Sequence, residues 1–355
     1  MTKFAISVPV GAWHPFLPAC LASLKHQKGH LGVALMDASD DPRVRALGEA
    51  HDDWLEHRYH GPDAGQSDAI LNGWDAIDSD WLGWLNADDI LMPYALERVI
   101  DAQECAPELD VLYGHSSILD DDGAMIGYHF NVEPPSDNLL KSGIISQPSC
   151  FFSREAYARA GGLDKSKHYT MDWDLWLRMY CSDAQFGFVD EVLSMVLWGA
   201  DTKTASFTGA RRQELRTLIE QYAPAEEQDA TFRAFAIHTL VDRVKPNGLR
   251  NGITRYLRKS GPTLFGVRAD GQIESKATLT LAHFDQAHKT GVDLHFAQRA
   301  RALQVSSNLA VTDSRDGKTV RVQFKSPLVA GDVCAIHLDT AGGGPVSFKR
   351  AVWIN

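Results

Sequence analysis

Two groups of closely spaced carboxylates are the residues of this chain best suited to chemistry. Asp88 and Asp89 end the stretch WLGWLNADD, whose first residues are typical of a buried strand, and Asp172 and Asp174 lie two positions apart in MDWDLWLR. Carboxylates at a strand end without a nearby Lys or Arg partner indicate a cation, because Mg²⁺ and Mn²⁺ prefer oxygen ligands. The first pair therefore predicts a divalent-metal site.

Both groups also have purely structural interpretations. The first pair is placed to cap a helix that begins near Pro93,. In the second group, Asp172 stands where a helix N-cap is expected, and Asp174 faces Arg178 one turn later, where the two can form an ion pair,. Spacing alone leaves the functional and the structural interpretations open.

Strand-like and helix-like patterns alternate over roughly the first 200 residues. Strands are predicted at 4–10, 32–37, 80–86 and 109–114, and helices at 14–27, 42–51, 66–77 and 94–105. Such alternation predicts a mostly parallel sheet covered by helices.

Polar groups follow several of the predicted strands. Pro9 ends the first, Asp37 follows the second, and residues 86–89 follow the third. Ligands of open α/β sheets bind at the carboxyl ends of the strands, so these positions predict one crevice. Residues 66–68 open the helical pattern at 66–77 and are interpreted as the loop that leads into the helix, where backbone N–H groups suit an anion or ribose hydroxyls, and ordinary helix capping is the alternative.

After residue 205 the hydrophobic pattern changes twice along the chain. Residues 206–260 carry apolar residues at helical spacing, and residues 261–355 alternate with period two between turn signals, which predicts an antiparallel, sandwich-like β module,. The expected domains are thus 1–205, 206–260 and 261–355. Most aromatic residues of the last segment fall on the face expected to be buried, which favours an assembly or structural role, such as a homodimer contact, over glycan binding.

Composition narrows the class of protein. A net charge of −11 argues against a nucleic-acid binder with a basic face,. Five cysteines without a CxxC spacing do not form a disulfide framework or a zinc site, and no signal-peptide pattern or long apolar run is present,. The expected location is the cytoplasm, with peripheral attachment to the membrane surface left open.

Four stretches of the chain resemble a known family. ISVPVGAWHPFLPACLASLKHQ, VALMDASDD, GPDAGQSDAILNGWDAIDSDWLGWLNADD and GGLDKSKHYTMDWDLWLRM follow one another in the order found in family 2 glycosyltransferases of the GT-A fold, in a subgroup with a QSDA…WLNADD pattern. The resemblance covers residues 4–205. It implies the GT-A nucleotide-diphospho-sugar transferase fold, with a Rossmann-like mixed sheet.

The resemblance also implies roles for individual residues. Asp88 matches the acid of the DxD element that holds Mg²⁺ or Mn²⁺ on the sugar-nucleotide diphosphate, and Asn86 takes the place of the first acid. Asp37 matches the residue that contacts the base, and Asp172 matches the general base. The donor-binding positions are Pro9, Asp37, Gln66, Ser67, Asp68, Asn86 and Ala87, and the acceptor-side positions are Gln147, Trp173 and Asp174.

The chain departs from the family pattern at two places. Leu71 and Asn72 replace the Asn and Lys that are common in the subgroup. In the stretch VLWGADTKT, Trp198 stands near the position of a His that approaches the metal in many members, and Lys203 could supply a positive charge to the diphosphate instead,.

The resemblance implies an inverting, metal-dependent glycosyltransferase. It would move a sugar from a nucleoside-diphosphate donor, with UDP favoured, to a hydroxyl of a polysaccharide or a lipid-linked glycan. A nucleotidyltransferase is the competing enzyme class, although the glycine-rich phosphate loop expected after its first strand is missing from VPVGAWHP. A non-catalytic scaffold is the third interpretation, because the metal-proximal His is replaced.

Overall fold

The computed structural model describes residues 2–129, 131, 138–199, 208–244, 247–257, 261–284, 287–300 and 302–355. In chain order the strands are β1 Lys3–Val10, β2 His30–Asp37, β3 His57–His60, β4 Trp81–Trp84, β5 Ile90–Leu91, β6 Val111–Leu119, β7 Met125–His129, β8 Cys150–Ser153, β9 Phe186–Leu197, β10 Thr263–Leu264, β11 Val267–Arg268, β12 Gln272–Ile273, β13 Lys276–Ala282, β14 Lys289–Phe296, β15 Gln304–Ser307, β16 Val311–Asp316, β17 Thr319–Leu328, β18 Val333–Asp339 and β19 Val346–Ile354. The α-helices are α1 Leu17–Lys25, α2 Pro42–Ala50, α3 Gln66–Asp75, α4 Ala95–Cys105, α5 Arg154–Arg159, α6 Met171–Cys181, α7 Gly209–Tyr222, α8 Gln228–Asp242 and α9 Asn247–Leu257, and a short 3-10 helix spans Gln147–Ser149. Among the helices in these described ranges, none is both long and apolar enough to cross a lipid bilayer.

The chain divides into two compact units that do not follow the predicted boundaries. The first unit holds residues 1–115, 131–194 and 206–239, and the second holds 116–130, 195–205 and 240–355. Residues 116–130 join the second unit because β7 pairs with β19, in the register Met125↔Ala351. The predicted helical segment is likewise divided, since α7 buries Leu218 and Ile219 in the core of the first unit.

The sheet of the first unit confirms the expected architecture. The neighbours β3, β2, β1 and β4 are all parallel, and beyond β4 the sheet continues through β8, which is antiparallel to both β4 and β6. The sheet is therefore mixed, as the GT-A fold requires. Helix α3 packs closely on β1, because Gly73 has no side chain that would collide with Ser7.

A cluster of aromatic side chains forms the part of the core that carries the strand end of β4. The Trp84 ring stacks on Trp176 at 5.8 Å between ring centroids, and Trp74 and Phe152 meet them edge to face. The Nε1–H of Trp74 donates to the Gly83 carbonyl at 2.7 Å. Truncating such a buried aromatic typically costs about 3–5 kcal/mol, so this cluster fixes the end of β4 against the middle of α6,.

The second unit is antiparallel, as the period-two pattern predicts. One sheet contains β16, β17, β14, β19 and β7, and a second sheet of three strands has the order β13-β18-β15. Apolar and polar residues alternate along these strands, so that β13 buries Ala277, Leu279 and Leu281. The prediction that most aromatic residues of this segment are buried is confirmed for Phe284, Phe296, Phe324 and Phe348.

Candidate active site

The loop Asn86-Ala87-Asp88-Asp89 follows β4 directly and turns the chain into β5. The Leu85 N–H donates to the Ser7 carbonyl at 3.0 Å, which continues the β1–β4 pairing into the loop, and the Asp89 N–H donates to the Asn86 carbonyl at 3.0 Å. The capping interpretation of the two acids is wrong. Helix α4 begins only at Ala95, and its N-cap position makes no side-chain cap.

Asn86 is the centre of a network of side-chain amides. Its Nδ2 donates to Asp89 Oδ2 at 3.0 Å and to Gln147 Oε1 at 3.2 Å, while its Oδ1 accepts from Gln66 Nε2 at 2.7 Å. Gln147 Nε2 donates in turn to the Trp84 carbonyl at 2.7 Å. An ionised carboxylate and a carbonyl only accept hydrogen bonds, so these two ends fix the orientation of every amide between them.

Through this network, Asn86 connects three segments of the first unit: the first turn of α3, the acidic loop and the 3-10 helix. Gln147 is 9% exposed, and both its amide oxygen and its amide nitrogen form hydrogen bonds within the network. The sequence could not show this arrangement, because the three amides are far apart along the chain.

Asp88 has the environment expected of a metal ligand. Its side chain is half-buried, and burial raises the pKa of its carboxyl, while nearby His14 partly opposes this shift. Within the described residues, Asp88 forms no ion pair and no hydrogen bond to another side chain. A partly desolvated carboxylate without an ion-pair partner fits a divalent ion, which would supply the missing charge.

The loop lies over a buried thiol. Cys20 is inaccessible to solvent, its Sγ–H donates to the Asn86 carbonyl at 3.5 Å, and burial together with Asp89 and Asp88 raises the pKa of the thiol well above its usual range. Cys20 therefore remains a protonated donor beneath the acidic loop. Neither Cys20 nor His14 was predicted as a site residue, because only the folded chain brings them to the loop.

The donor set available at Asp88 is small. In the described part of the chain, no three His, Cys, Asp or Glu side chains cluster closely enough to hold a metal ion. Mg²⁺ and Mn²⁺ accept such a set when substrate phosphates and water complete their coordination. Asp88 thus suits a metal that arrives with a diphosphate.

Asp37 is fixed at the end of β2. It is 2% exposed; its Oδ1 accepts from the Ser39 N–H at 2.9 Å and the Ser39 hydroxyl at 2.6 Å, and its Oδ2 lies 2.6 Å from His60 Nδ1. Pro9 pairs in register with the preceding residue, Met36, on the neighbouring strand. The two predicted positions therefore share one sheet edge, and His60 is a partner that the sequence pattern did not reveal.

Residues 66–68 form the first turn of α3 rather than a loop before a helix. Gly65 begins the helix with φ of +114°, a conformation that favours glycine,. The Ser67 hydroxyl donates to Met171 Sδ at 3.2 Å, which brings the start of α3 against the start of α6. The Asp68 carboxylate is bound by Lys165 at 2.6 Å, and this contact lowers the pKa of Asp68.

Asp172 lies in the first turn of α6, where a helix favours negative charge,. The N-cap is Thr170 rather than Asp172, and the Asp172 carboxylate accepts from the Trp173 N–H at 2.8 Å. Asp172 also lies close enough to Cys150 to raise the pKa of that buried thiol, after the larger effect of burial itself. The capping interpretation of Asp172 is therefore incorrect.

The segment before Asp172 is anchored from α7. The Glu214 carboxylate accepts from the backbone N–H groups of His168 and Tyr169, at 3.0 Å and 2.8 Å. The sequence assigned α7 to a separate helical segment, so this anchor was not predicted. It holds the approach to α6 in one conformation.

Trp173 and Asp174 face the interior. The Trp173 Nε1–H donates to the Leu139 carbonyl at 2.7 Å, and its ring packs against Phe235. Asp174 is 4% exposed and forms the predicted ion pair with Arg178, with 2.9 Å between its Oδ2 and the Arg178 Nε. These contacts are structural, and they leave the half-buried Asp172 as the more accessible carboxylate of this helix turn.

The two departures from the family pattern fall in different surroundings. Asn72 is exposed on α3, where its Nδ2 donates to Asp68 at 3.4 Å. Trp198 belongs to the second unit, where its N–H donates to the Leu119 carbonyl at 2.8 Å. Lys203 lies outside the described residues.

Part of the chain is similar in sequence to known proteins. Residues 11–159 match the family model described as Glycosyl transferase family 2. Over 218 residues the chain is 29% identical to the O-antigen biosynthesis protein RfbC of Myxococcus xanthus, a match that covers 59% of this chain and 17% of that protein.

A solved structure from S. aureus shares the fold. The S. aureus TarS fragment 1–349 in complex with UDP-GlcNAc superposes with a TM-score of 0.52 at 12% identity, covering 70% of this chain and 75% of that one. The mannosyltransferase PcManGT from Pyrobaculum calidifontis, in complex with GDP-Man and Mn²⁺, reaches 0.48 at 15% identity, covering 74% and 76%. The TarS superposition confirms the expected GT-A fold.

Proposed function

We propose that the first unit is a metal-dependent, inverting glycosyltransferase that moves a sugar from a nucleoside-diphosphate donor to a hydroxyl of a glycan acceptor. One observation carries the proposal. The amide network around Asn86, together with the Ser67–Met171 contact, gathers the acidic loop, α3 and the helix of Asp172 at one edge of the sheet. The family match over residues 11–159 supports the same chemistry.

In this proposal, each group of residues at this edge of the sheet binds a different part of the donor. Asp37, held by Ser39 and His60, receives the base of the donor, and the first turn of α3 presents N–H groups toward ribose or phosphate,. Asp88 would hold Mg²⁺ or Mn²⁺. That ion would supply Lewis-acid stabilisation of the negative charge on the departing diphosphate.

Asp172 is the proposed general base. It takes the proton of the acceptor hydroxyl, whose oxygen attacks the anomeric carbon on the side opposite the diphosphate. A single base and a direct attack invert the anomeric configuration. The helix N-terminus favours the ionised carboxylate, which is the form that accepts the proton.

UDP is the proposed donor nucleotide, because the TarS structure that shares the fold binds UDP-GlcNAc. The proposed acceptor is a polysaccharide or a lipid-linked glycan, in keeping with the name of the O-antigen biosynthesis relative. The cytoplasmic location, attachment to a membrane surface and homodimerisation through the second unit stay predictions.

The test is turnover of a nucleotide-sugar panel with Mg²⁺ or Mn²⁺, with and without EDTA. A donor first identified by thermal shift should yield nucleoside diphosphate in the presence of metal and a glycan acceptor, with inverted configuration in the product. Asp172→Asn should abolish transfer and preserve donor binding. Release of pyrophosphate from nucleoside triphosphates would instead identify a nucleotidyltransferase, and donor binding without any turnover would identify a scaffold.

A further inference from the structure

The second unit contains an open cavity of about 550 Å³ on its three-stranded sheet. The volume lies within the range of small-molecule sites, roughly 300–1,000 Å³. Its lining includes polar residues of β13, β15 and β18 and the half-buried Phe265. None of these residues has a part in the proposed transfer site.

Strand register arranges the polar side chains in two rows. Lys276, Asp339 and Gln304 lie opposite one another across β13, β18 and β15, and Thr278, His337 and Ser306 form the next row. Because side chains alternate between the faces of a strand, both rows lie on the same face, while Leu279, Leu281 and Ile336 are buried on the other,. The face is therefore an ordered grid of hydrogen-bonding groups.

Phe265 forms an aromatic wall in a backbone conformation that side chains rarely adopt. Its φ is +47°, and a Cβ on the following Gly266 would collide with the backbone of β13. The Phe265 carbonyl accepts from the Thr278 N–H at 2.8 Å, and its ring meets Tyr128 at 5.1 Å between centroids. Strain of this kind persists only where the surroundings fix it, and it is common at ligand sites.

Tyr128 connects Phe265 to strand β13. Its hydroxyl donates to the Thr278 carbonyl at 2.8 Å and accepts from the Thr280 N–H at 3.2 Å. The aromatic wall and the polar grid are thus held to the same strand, which fixes the distance between them.

The chemistry of the lining selects the class of ligand. Lys276 and Asp339 offer one charge of each sign and lie 3.9 Å apart, with exposed side chains, so the cavity has no surplus charge to attract an anion,. The hydroxyl, amide and imidazole groups supply both donors and acceptors. Sugar hydroxyls also both donate and accept, and the C–H face of a sugar ring suits an aromatic side chain.

We infer that this cavity binds a neutral segment of a glycan. The inference goes beyond the proposed transfer reaction and does not depend on it, since every residue that carries it lies in the second unit. An anionic ligand, such as a phosphate group, is the competing outcome, and the test includes it.

The test measures binding of short neutral oligosaccharides of hexoses and N-acetylhexosamines to the full chain by calorimetry, after a screen on a glycan array. Ser306→Ala and His337→Ala should each weaken the best ligand by about 3–10-fold, the usual cost of one hydrogen bond. Ser314→Ala on β16 is the matched control, because Ser314 is exposed on the other sheet and does not line the cavity.

Two further comparisons make the result decisive. Asp172→Asn and saturating UDP should leave this affinity unchanged, which separates the cavity from the transfer site. The inference fails if no neutral oligosaccharide binds, if the Ser306 and His337 variants bind as tightly as the control, or if only a sulfated or phosphorylated probe binds.

Discussion

Asn86→Asp is the substitution that most directly tests the amide network. The change is nearly isosteric, and the retained Oδ1 can still accept from Gln66. The one new oxygen replaces the Nδ2 that donates to Asp89 and Gln147, so a single acceptor now faces two other acceptors. The variant restores the first acid of an ordinary DxD sequence, yet we expect it to be less stable.

The magnitude follows from the distance. Two carboxylate oxygens at the 3.0 Å now separating Asn86 from Asp89 repel by about 5 kcal/mol at an effective dielectric constant of about 20,. Relaxation and proton uptake relieve part of this repulsion, so we expect a net loss of about 3 kcal/mol near neutral pH. A unit of this size loses roughly 2–4 °C of melting temperature per kcal/mol, so the expected drop is about 6–12 °C.

The sign of the pH dependence is the sharper test. Repulsion raises the folded-state pKa of the introduced carboxyl above its unfolded value, so the folded variant binds a proton that the unfolded chain releases. The stability of the variant therefore falls as pH rises through the raised pKa. At lower pH the protonated carboxyl can again donate to Asp89, and the gap to wild type should narrow.

The assay compares melting temperatures of wild type and Asn86→Asp at about pH 5.5 and about pH 8. Asn72→Asp is the matched control. It also places a carboxylate beside an acid, Asp68, but at an exposed position where water and salt screen the repulsion,. An equal gap at both pH values, or the same response in the control, would refute the network.

Three further predictions concern the proposed reaction. Asp172→Asn should lower the transfer rate by about 10²–10⁴-fold with donor affinity within a few-fold of wild type, as measured by single-turnover kinetics and calorimetry, whereas Asp174→Asn should mainly lower the melting temperature. Asp88→Asn should abolish the effect of Mn²⁺ on UDP affinity and reduce turnover by more than about 100-fold. In the wild-type protein, burial raises the pKa of Asp88. Metal-dependent UDP binding should therefore weaken on acidification at a higher pH than it would with an exposed aspartate. His60→Ala should weaken UDP binding by about 10-fold through loss of its contact with Asp37, with a smaller loss for His60→Gln and little change in kcat,.

Local pattern predicted the elements of the first unit because each is short and strongly periodic. The strand at 32–37 is observed as β2 His30–Asp37, and the helix at 42–51 as α2 Pro42–Ala50. In an open α/β sheet, ligand-binding groups gather at the carboxyl ends of the strands. For this reason the positions of Asp37 and the acidic loop were predictable.

Contacts between distant residues were not predictable in the same way. Trp173 and Asp174 share the sequence neighbourhood of Asp172, but each step along a helix turns the side chain by about 100°, and this rotation carries both into the core,. The amide pairs of Asn86, the Glu214 anchor and the His60–Asp37 contact join residues that no local period connects. They follow from the tertiary fold alone.

The division of the chain into interleaved segments has a consequence for its synthesis. The β7 strand leaves the ribosome early, yet its partner β19 lies close to the end of the sequence. During that interval β7 lacks this partner, and unpaired strand edges favour aggregation. We therefore expect the second unit to complete its fold only after β19 has been translated, unlike a protein whose domains emerge and fold one after another,.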